Sequence, residues 1–314
     1  MFLATRLFRL INSFLFIIYS LFTPAPSTAD PITFREPESV KMSFVAYADP
    51  QIMPSGYHQV YHENSFEDIV NSGIDFDAFV IAGDLTENTD APSYDIYWEI
   101  MDKSPIKNIV IASGNHDLRF NYENNLEMIM GKVEEYIGVS TDKPYYSYTV
   151  NGYTFIVLGT EKARMDDAYI SDEQLSFLDN QLAMATQGGK PAFVVCHQPL
   201  THTHGTPTTA VGNGDLGEQS AQVREILERY TNVFFLTGHL HDGVSEKSLE
   251  VLNEENGVYS LNLPAFGRAN EVGEFRQMGL GTYAEVYEGE IIFTVRDFVK
   301  GYNLEGCTMT FTLK

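Results

Sequence analysis

The chain is poor in cysteine and in positive charge. Two cysteines in 314 residues exclude a disulfide-stapled scaffold. Cys196 lies inside an apolar run and Cys307 in a β-like stretch near the end of the chain, so both are expected to be buried thiols. Lys and Arg number 20 against 43 Asp and Glu, a formal net charge of −23. No basic stripe interrupts that acidity. A nucleic-acid partner, which would be held by Lys and Arg on its phosphates, is therefore disfavoured. Any anionic substrate has to be captured locally, and bound cations invert the field in a single cleft. Internal repeats and low-complexity tracts are absent as well. With 44% hydrophobic and 20% charged residues, the composition is that of a folded globular protein with a substantial core.

Long apolar runs are scarce, and the one exception begins the chain. Arg6 and Arg9 precede a stretch from Leu10 to Phe22 that is apolar apart from Asn12, Ser13 and Ser20. Pro24-Ala25-Pro26 breaks it, and Ser27-Thr28-Ala29 offers the small residues a signal peptidase reads. The run falls short of the ~20 residues that span a bilayer. No cysteine follows it for lipid attachment. Residues 1–29 are expected to be a signal peptide that exports the protein to a secreted, periplasmic or cell-surface location. Membrane association follows only if that segment stays uncleaved. Residues 30–40 read as a linker, and 41–314 as one mixed α/β domain.

Within that domain five short apolar runs each end in residues with metal-ligand chemistry. Phe44–Ala48 runs into Asp49-Pro50-Gln51, and Phe79–Ala82 into Gly83-Asp84. Ile109–Ser113 runs into Gly114-Asn115-His116-Asp117, Ala192–Cys196 into His197, and Val233–Thr237 into Gly238-His239-Leu240-His241. Runs of this length and composition predict buried strands. In open α/β sheets ligands gather beyond the carboxyl ends of such strands. Carboxylate, amide and imidazole groups delivered there suit a hard-to-borderline divalent cation.

Helices are expected near Ser65–Asn71, with Phe66, Ile69 and Val70 on one face, at Tyr94–Met101, and from about Asn121 to Ile137. Asn151-Gly152 predicts a hairpin between Tyr145–Val150 and Tyr153–Leu158. Ser171 and Gln174 fit a capping box opening a helix with Leu175, Leu178 and Leu182 inside. A long loop over 198–217 precedes a helix near Glu218–Tyr230. From Gly257 the chain reads as β-rich.

Taken in order, Asp49-x-Gln51, Gly83-Asp84, Gly114-Asn115-His116-Asp117, His197 and Gly238-His239-Leu240-His241 resemble the motif set of the calcineurin-like metallophosphoesterases. Any one piece is common among turns and caps; five in the family's order, spread over roughly residues 42–298, are specific. The resemblance implies a β-sandwich flanked by helices, a four-layer αββα architecture, with two divalent metal ions at its apex. Carried over by motif, Asp49, Gln51, Asp84 and His241 would hold the first metal, and Asp84, Asn115, His197 and His239 the second. Manganese is the expected ion, with iron, zinc or magnesium as alternatives. Two dications about 3.5–4 Å apart share a carboxylate and a bridging hydroxide that attacks a phosphate mono- or diester. His116 would protonate the leaving oxygen, and Glu87 would orient His116.

Two departures from the family pattern stand out. Gln51 occupies a position where His is commonest, a weaker and harder donor that favours Mn or Mg over Zn. Leu85-Thr86-Glu87 lacks the tyrosine that purple acid phosphatases use for ferric iron. His202, His204 and Arg119 could reach a substrate phosphate or lie at the surface. His58 and His62 are assigned to structure, and Tyr57 or Phe120 could stack a base or lipid group. The expected substrate is a small or medium phosphorylated molecule. A nuclease and a non-catalytic metal-binding scaffold of the same fold are the alternatives, and oligomeric state is open.

Overall fold

The computed structural model describes residues 30–54, 56–205, 215–272 and 275–314. In chain order these form β1 (Met42–Tyr47), α1 (Gly56–Ser72), β2 (Ala78–Ala82), α2 (Ala91–Met101), β3 (Ile109–Ala112), a single turn α3 (Asn115–Leu118) and α4 (Tyr122–Ile137). Next come β4 (Tyr146–Val150), β5 (Tyr153–Val157), α5 (Asp172–Ala185), β6 (Ala192–Val195), α6 (Ser220–Glu228) and β7 (Val233–Thr237). The rest is β8 (Leu249–Asn253), β9 (Val258–Asn262), β10 (Asn270–Val272), β11 (Phe275–Gln277), β12 (Leu280–Val286), β13 (Glu290–Asp297) and β14 (Tyr302–Thr312).

One six-stranded sheet has the order β14-β13-β12-β1-β2-β3 and the other β4-β5-β6-β7-β9-β8, with β10 and β11 forming a separate ribbon. The strands β1, β2 and β3 are parallel, as are β5, β6, β7 and β9. Their carboxyl ends therefore collect along one edge of each sheet.

Period-two alternation splits each central strand between two cores. Phe155, Phe193 and Phe234 point into the space between the sheets, while Ile156, Val194, Val233 and Phe235 face α5 and α6. In the first sheet Phe44 meets Phe155 and Phe193 edge-on at 5.3 and 5.0 Å. Tyr47 and Phe79 turn to the opposite face, against α1 through His62 and Phe66. Helix, sheet, sheet and helix thus form the four layers of the expected αββα sandwich. Strands buried on both faces must be apolar throughout, which is why they read as unbroken runs.

The structure departs from expectation in several places. Helix α1 is far longer than Ser65–Asn71, because its inner face includes His58, His62 and Ser65 beside Phe66 and Ile69. Val70, expected on that face, is exposed. Ser171 does cap α5 by accepting from the Gln174 N–H at 3.2 Å. The reciprocal half of the box comes from Glu161, which accepts from the Ser171 N–H at 2.6 Å, while the Gln174 amide reaches Gly159. Asn151 and Gly152 both take positive φ, 51° and 81°, as a tight hairpin needs.

The segment read as a linker is docked on the first sheet. Ile32 is buried, Phe34 packs edge-on against Phe76 and tilted against Tyr283, and Arg296 donates to the Asp30 carbonyl at 2.8 Å. Cys196 is buried and Cys307 half-buried, and neither is bridged. The expected signal peptide and the middle of the 198–217 loop lie outside the described residues. Among the described residues no helix is long and apolar enough to cross a membrane.

Candidate metal centre

All five predicted strand ends meet at one place. The turn after β1 lies against the turn after β2, with Asp49 N–H donating to the Gly83 carbonyl at 3.0 Å and Gln51 N–H to the Asp84 carbonyl at 2.9 Å. Asp49, Gln51, Asp84, His239 and His241 all adopt positive φ, between 38° and 70°. Residues other than glycine avoid this region, so a cluster of five marks a backbone bent to aim side chains inward. Space is equally constrained. A Cβ on Gly114 would overlap the Asp84 carboxylate, and one on Gly238 would fall 2.9 Å from Oδ2 of Asp49.

Ligand atoms of Asp84, His197 and His239 lie within 4.8 Å of one another. Nε2 of His197 is 3.3 Å from Oδ1 of Asp84, 3.2 Å from Oδ1 of Asn115 and 3.1 Å from Nδ1 of His239. Two of these groups are held in sense by a partner outside the cluster. His197 donates from Nδ1 to the Ala82 carbonyl at 2.7 Å, leaving Nε2 for a cation. Asn115 donates its amide nitrogen to the Met165 carbonyl at 2.8 Å, which turns its oxygen inward. Beside this group, Nε2 of His241 lies 3.2 Å from Oδ1 of Asp49, whose other oxygen accepts the His239 N–H at 3.0 Å.

Two carboxylates fully buried among imidazoles are a charge in search of a counter-charge. Burial disfavours the Asp84 anion, yet the positive charge of His197 outweighs it and holds the carboxyl well below its usual range. Conversely, burial pulls His197 down but Asp84, aided by Asp49, pushes it up to about 9. Burial and the charge of His197 lower His239 to about 4. His241 is raised, because Asp49 overcomes its burial. The site thus recruits a proton where a cation belongs. Its oxygen and imidazole donors fit a divalent ion of the Mn, Fe, Zn and Mg group.

His116 sits on α3 with its N–H donating to Oδ1 of Asp84 at 2.9 Å. Its Nδ1 bonds the Glu87 backbone carbonyl at 2.7 Å, and its Nε2 lies 3.9 Å from Oδ2 of Asp84 and 3.4 Å from Nη1 of Arg119. Burial lowers its pKa, with Asp84 opposing. Glu87, expected to orient His116, meets it through its main-chain carbonyl, and its carboxylate oxygen Oε2 lies 3.9 Å from Nδ1 of His116 while pairing with Arg268. Gln51 lies beside the same group. It turns its amide nitrogen to Oδ2 of Asp84 at 3.4 Å and its oxygen to Arg268.

Arg268 gave no sign of itself in the sequence. It follows β9, a further parallel strand of the second sheet, and the convergence of strand ends was the signal that could have found it. Arg119 lies at the site, with Nη2 3.0 Å from Nδ1 of His116 and 3.3 Å from the Glu87 carbonyl. Its neighbour Phe120 is exposed. Asp117 is structural: buried, it accepts from Gly114 and Leu85 N–H groups at 2.8 and 3.0 Å and so ties the turn after β3 to that after β2. His204 is buried between the Lys247 carbonyl and the Ser260 hydroxyl, while His202 is exposed. His58 and His62 are buried on α1.

Known proteins are consistent with this geometry. The chain is 26% identical over 214 residues to a probable cyclic nucleotide phosphodiesterase of Ruthia magnifica, covering 67% of this chain and 82% of the relative. A probable cyclic nucleotide phosphodiesterase of Synechococcus is 26% identical over 52% of this chain and 58% of its own length. The solved structure of a dimetal phosphatase from Danio rerio superposes with a TM-score of 0.62 at 13% identity, over 88% of this chain and all of that one. At that identity the likeness speaks for the fold. Residues 42–243 match the sequence model of the family described as calcineurin-like phosphoesterase. The chain belongs to that family, whose members are metal-dependent hydrolases of phosphoric esters.

Proposed function

We propose that this chain is an exported two-metal phosphoesterase whose substrate is a small phosphate ester, with phosphodiesters foremost. The observation that carries the reading is the convergence of ligand atoms of Asp84, His197 and His239 to within 4.8 Å of one another, with Asn115 facing them and Asp49 and His241 alongside. The names of the two curated relatives support the diester.

In this reading Asp84, Asn115, His197 and His239 would hold one metal, and Asp49, Asp84 and His241 the other. Gln51 would complete the set of Asp49 and His241, the first metal position, once its amide turns. Two divalent ions, with manganese foremost, would supply, when bound, neutralisation of the phosphoryl charge and acidification of an attacking water. The chain supplies the rest. Asp84 also fixes His116 through the backbone, so that metal position and imidazole position are coupled. Nε2 of His116 delivers a proton to the leaving oxygen, and an approaching phosphoryl anion favours the imidazolium that burial alone disfavours. Arg119 supplies a fixed positive charge beside His116 for a non-bridging oxygen.

Turnover of nitrophenyl phosphate, bis-nitrophenyl phosphate and a cyclic nucleotide, with Mn2+ added to metal-stripped protein, tests the reading. Hydrolysis restored by Mn2+ and highest on the diesters supports it. No turnover on any of the three with two metals bound would remove the enzymatic reading. Export rests on the basic and apolar pattern of residues 1–29. A mature N-terminus close to Asp30 in protein recovered from its native compartment is the expected result, and an intact Met1 would overturn it.

A further inference from the structure

Arg268 stands between two side chains of the site. Its Nε–H donates to Oε1 of Gln51, and its Nη2 pairs with Oε2 of Glu87. At the other end of the same amide, Nε2 of Gln51 donates to Oδ2 of Asp84 at 3.4 Å. The two partners fix the sense of the amide, because a guanidinium can only donate and a carboxylate can only accept. Gln51 therefore shows its NH2 to the centre of the site. A divalent cation needs the reverse, a carbonyl oxygen.

The backbone holds Arg268 in this place. Phe266 N–H donates to the Ala48 carbonyl at 2.8 Å and Gly267 N–H to the Asp49 carbonyl at 3.0 Å. Gly267 packs so closely on the Pro50 carbonyl that any Cβ would overlap it. Asn270 closes the loop with both ends of its amide on Ala265, at 2.9 and 2.7 Å. The loop after β9 is thereby stitched to the turn that displays Asp49 and Gln51. The Arg268 side chain is still 32% exposed, within reach of a solute anion.

We propose that Arg268 is a positioning residue that gates the first metal position: it holds Gln51 in a non-ligating sense until the phosphate group of the substrate engages the guanidinium and frees the amide to turn. This rests on the two-metal reading above. An arginine fork matches a phosphate group bidentately, so phosphate competes for the N–H groups that hold Gln51. The coupling is reciprocal: phosphate tightens the first metal, and that metal tightens phosphate by the same factor.

The test is a calorimetric titration of the metal-stripped full chain with Mn2+, with and without inorganic phosphate, for the wild type and Arg268→Met. Without phosphate the wild type is expected to bind one Mn2+ tightly and a second at least tenfold more weakly, and phosphate tightens the second step. Arg268→Met is expected to tighten that step at least tenfold without phosphate and to shrink the effect of phosphate. A merely structural role for Arg268 would weaken metal binding instead, and that result overturns the gate. An unchanged second step with unchanged phosphate dependence also overturns it and leaves the two-metal reading standing. Absence of a second equivalent in both proteins at every phosphate concentration removes both. If Arg268→Met fails to fold, Glu87→Gln, which removes the ionic anchor of Arg268, is expected to tighten the second step in the same direction; no shift overturns the gate.

Discussion

Nδ1 of His197 lies 2.7 Å from the carbonyl oxygen of Ala82, the last residue of β2. The bond crosses from one sheet of the sandwich to the other. It gives the Nδ1 proton a fixed acceptor, so Nε2 is the nitrogen turned to Asp84. Replacing His197 by Ala removes the ligand and this tie between the sheets together. Loss of Mn2+ affinity and turnover should exceed roughly 100-fold, the upper end of what losing an outer partner of a metal ligand costs. Metal content of the purified variant is the direct check, and two equivalents per chain would contradict the assignment.

His116 is held more closely by the carbonyl of Glu87, at 2.7 Å, than by its carboxylate, at 3.9 Å, so the two residues should separate in kinetics. His116→Ala should slow hydrolysis of esters with poor leaving groups by about 10²–10⁴-fold, the usual worth of a positioned acid. Its effect on nitrophenyl esters should be much smaller, because nitrophenolate leaves without protonation. Glu87→Gln keeps the carbonyl and should show no such dependence on the leaving group. A uniform loss for His116→Ala across leaving groups would mean that His116 binds the phosphoryl group and protonates nothing.

The strands and the ligand set were legible for one reason: strands buried on both faces are apolar along their length, and polar side chains at their ends stand out. What escaped was whatever carries no pattern. The polar inner face of α1, with His58, His62 and Ser65, has helical spacing but not helical hydrophobicity. Edge strand β8 exposes Val251 and so shows no buried run. The Glu87 carbonyl could belong to any residue type, and no sequence feature announces a main-chain acceptor. Arg268 is one arginine in a loop, and its role depends on where the β9 strand end falls. Gln51 was visible as a departure, yet the sense of its amide is set by a partner 217 positions away.

Gly114 has φ −102° and ψ −178°, extended backbone that any residue adopts. Space is what demands glycine there, since a Cβ would collide with the Asp84 carboxylate. Gly114→Ala should therefore leave the sandwich folded while costing about 1–3 kcal/mol, as overpacking does. Mn2+ binding should fall with it, because Asp84 must move. Wild-type metal affinity in Gly114→Ala would show that the Asp84 carboxylate has room the structure does not indicate.

Phe44 tests the sandwich itself. Its ring lies 5.3, 5.0 and 5.9 Å from those of Phe155, Phe193 and Phe293, at the meeting of the two sheets. Phe44→Ala should cost about 3–5 kcal/mol of unfolding free energy in urea. A loss under 1 kcal/mol would mean that the aromatic layer closes over the cavity or that the sheets are not packed through it.

Acid should unfold this protein through α1 as well as through its metal site. Burial lowers His62 to about 4 and His58 to about 3, the latter helped by the charges of His62 and Arg268. His62 is satisfied as a neutral ring, with Nδ1 2.8 Å from the His58 carbonyl and Nε2 3.1 Å from the Tyr47 hydroxyl. In the unfolded chain both rings titrate near 6.5. The unfolded state thus binds more protons as pH falls, so the neutral rings cost nothing above about pH 6.5 and progressively destabilise the fold, down to about pH 4 for His62 and about pH 3 for His58. Each ring should cost about 2 kcal/mol between pH 7 and pH 5. His62→Gln cannot titrate and should remove about half of this combined term from the pH dependence of the urea midpoint, measured in chelator so that metal loss does not contribute. An unchanged slope in His62→Gln would show that His62 already carries its proton in the folded chain.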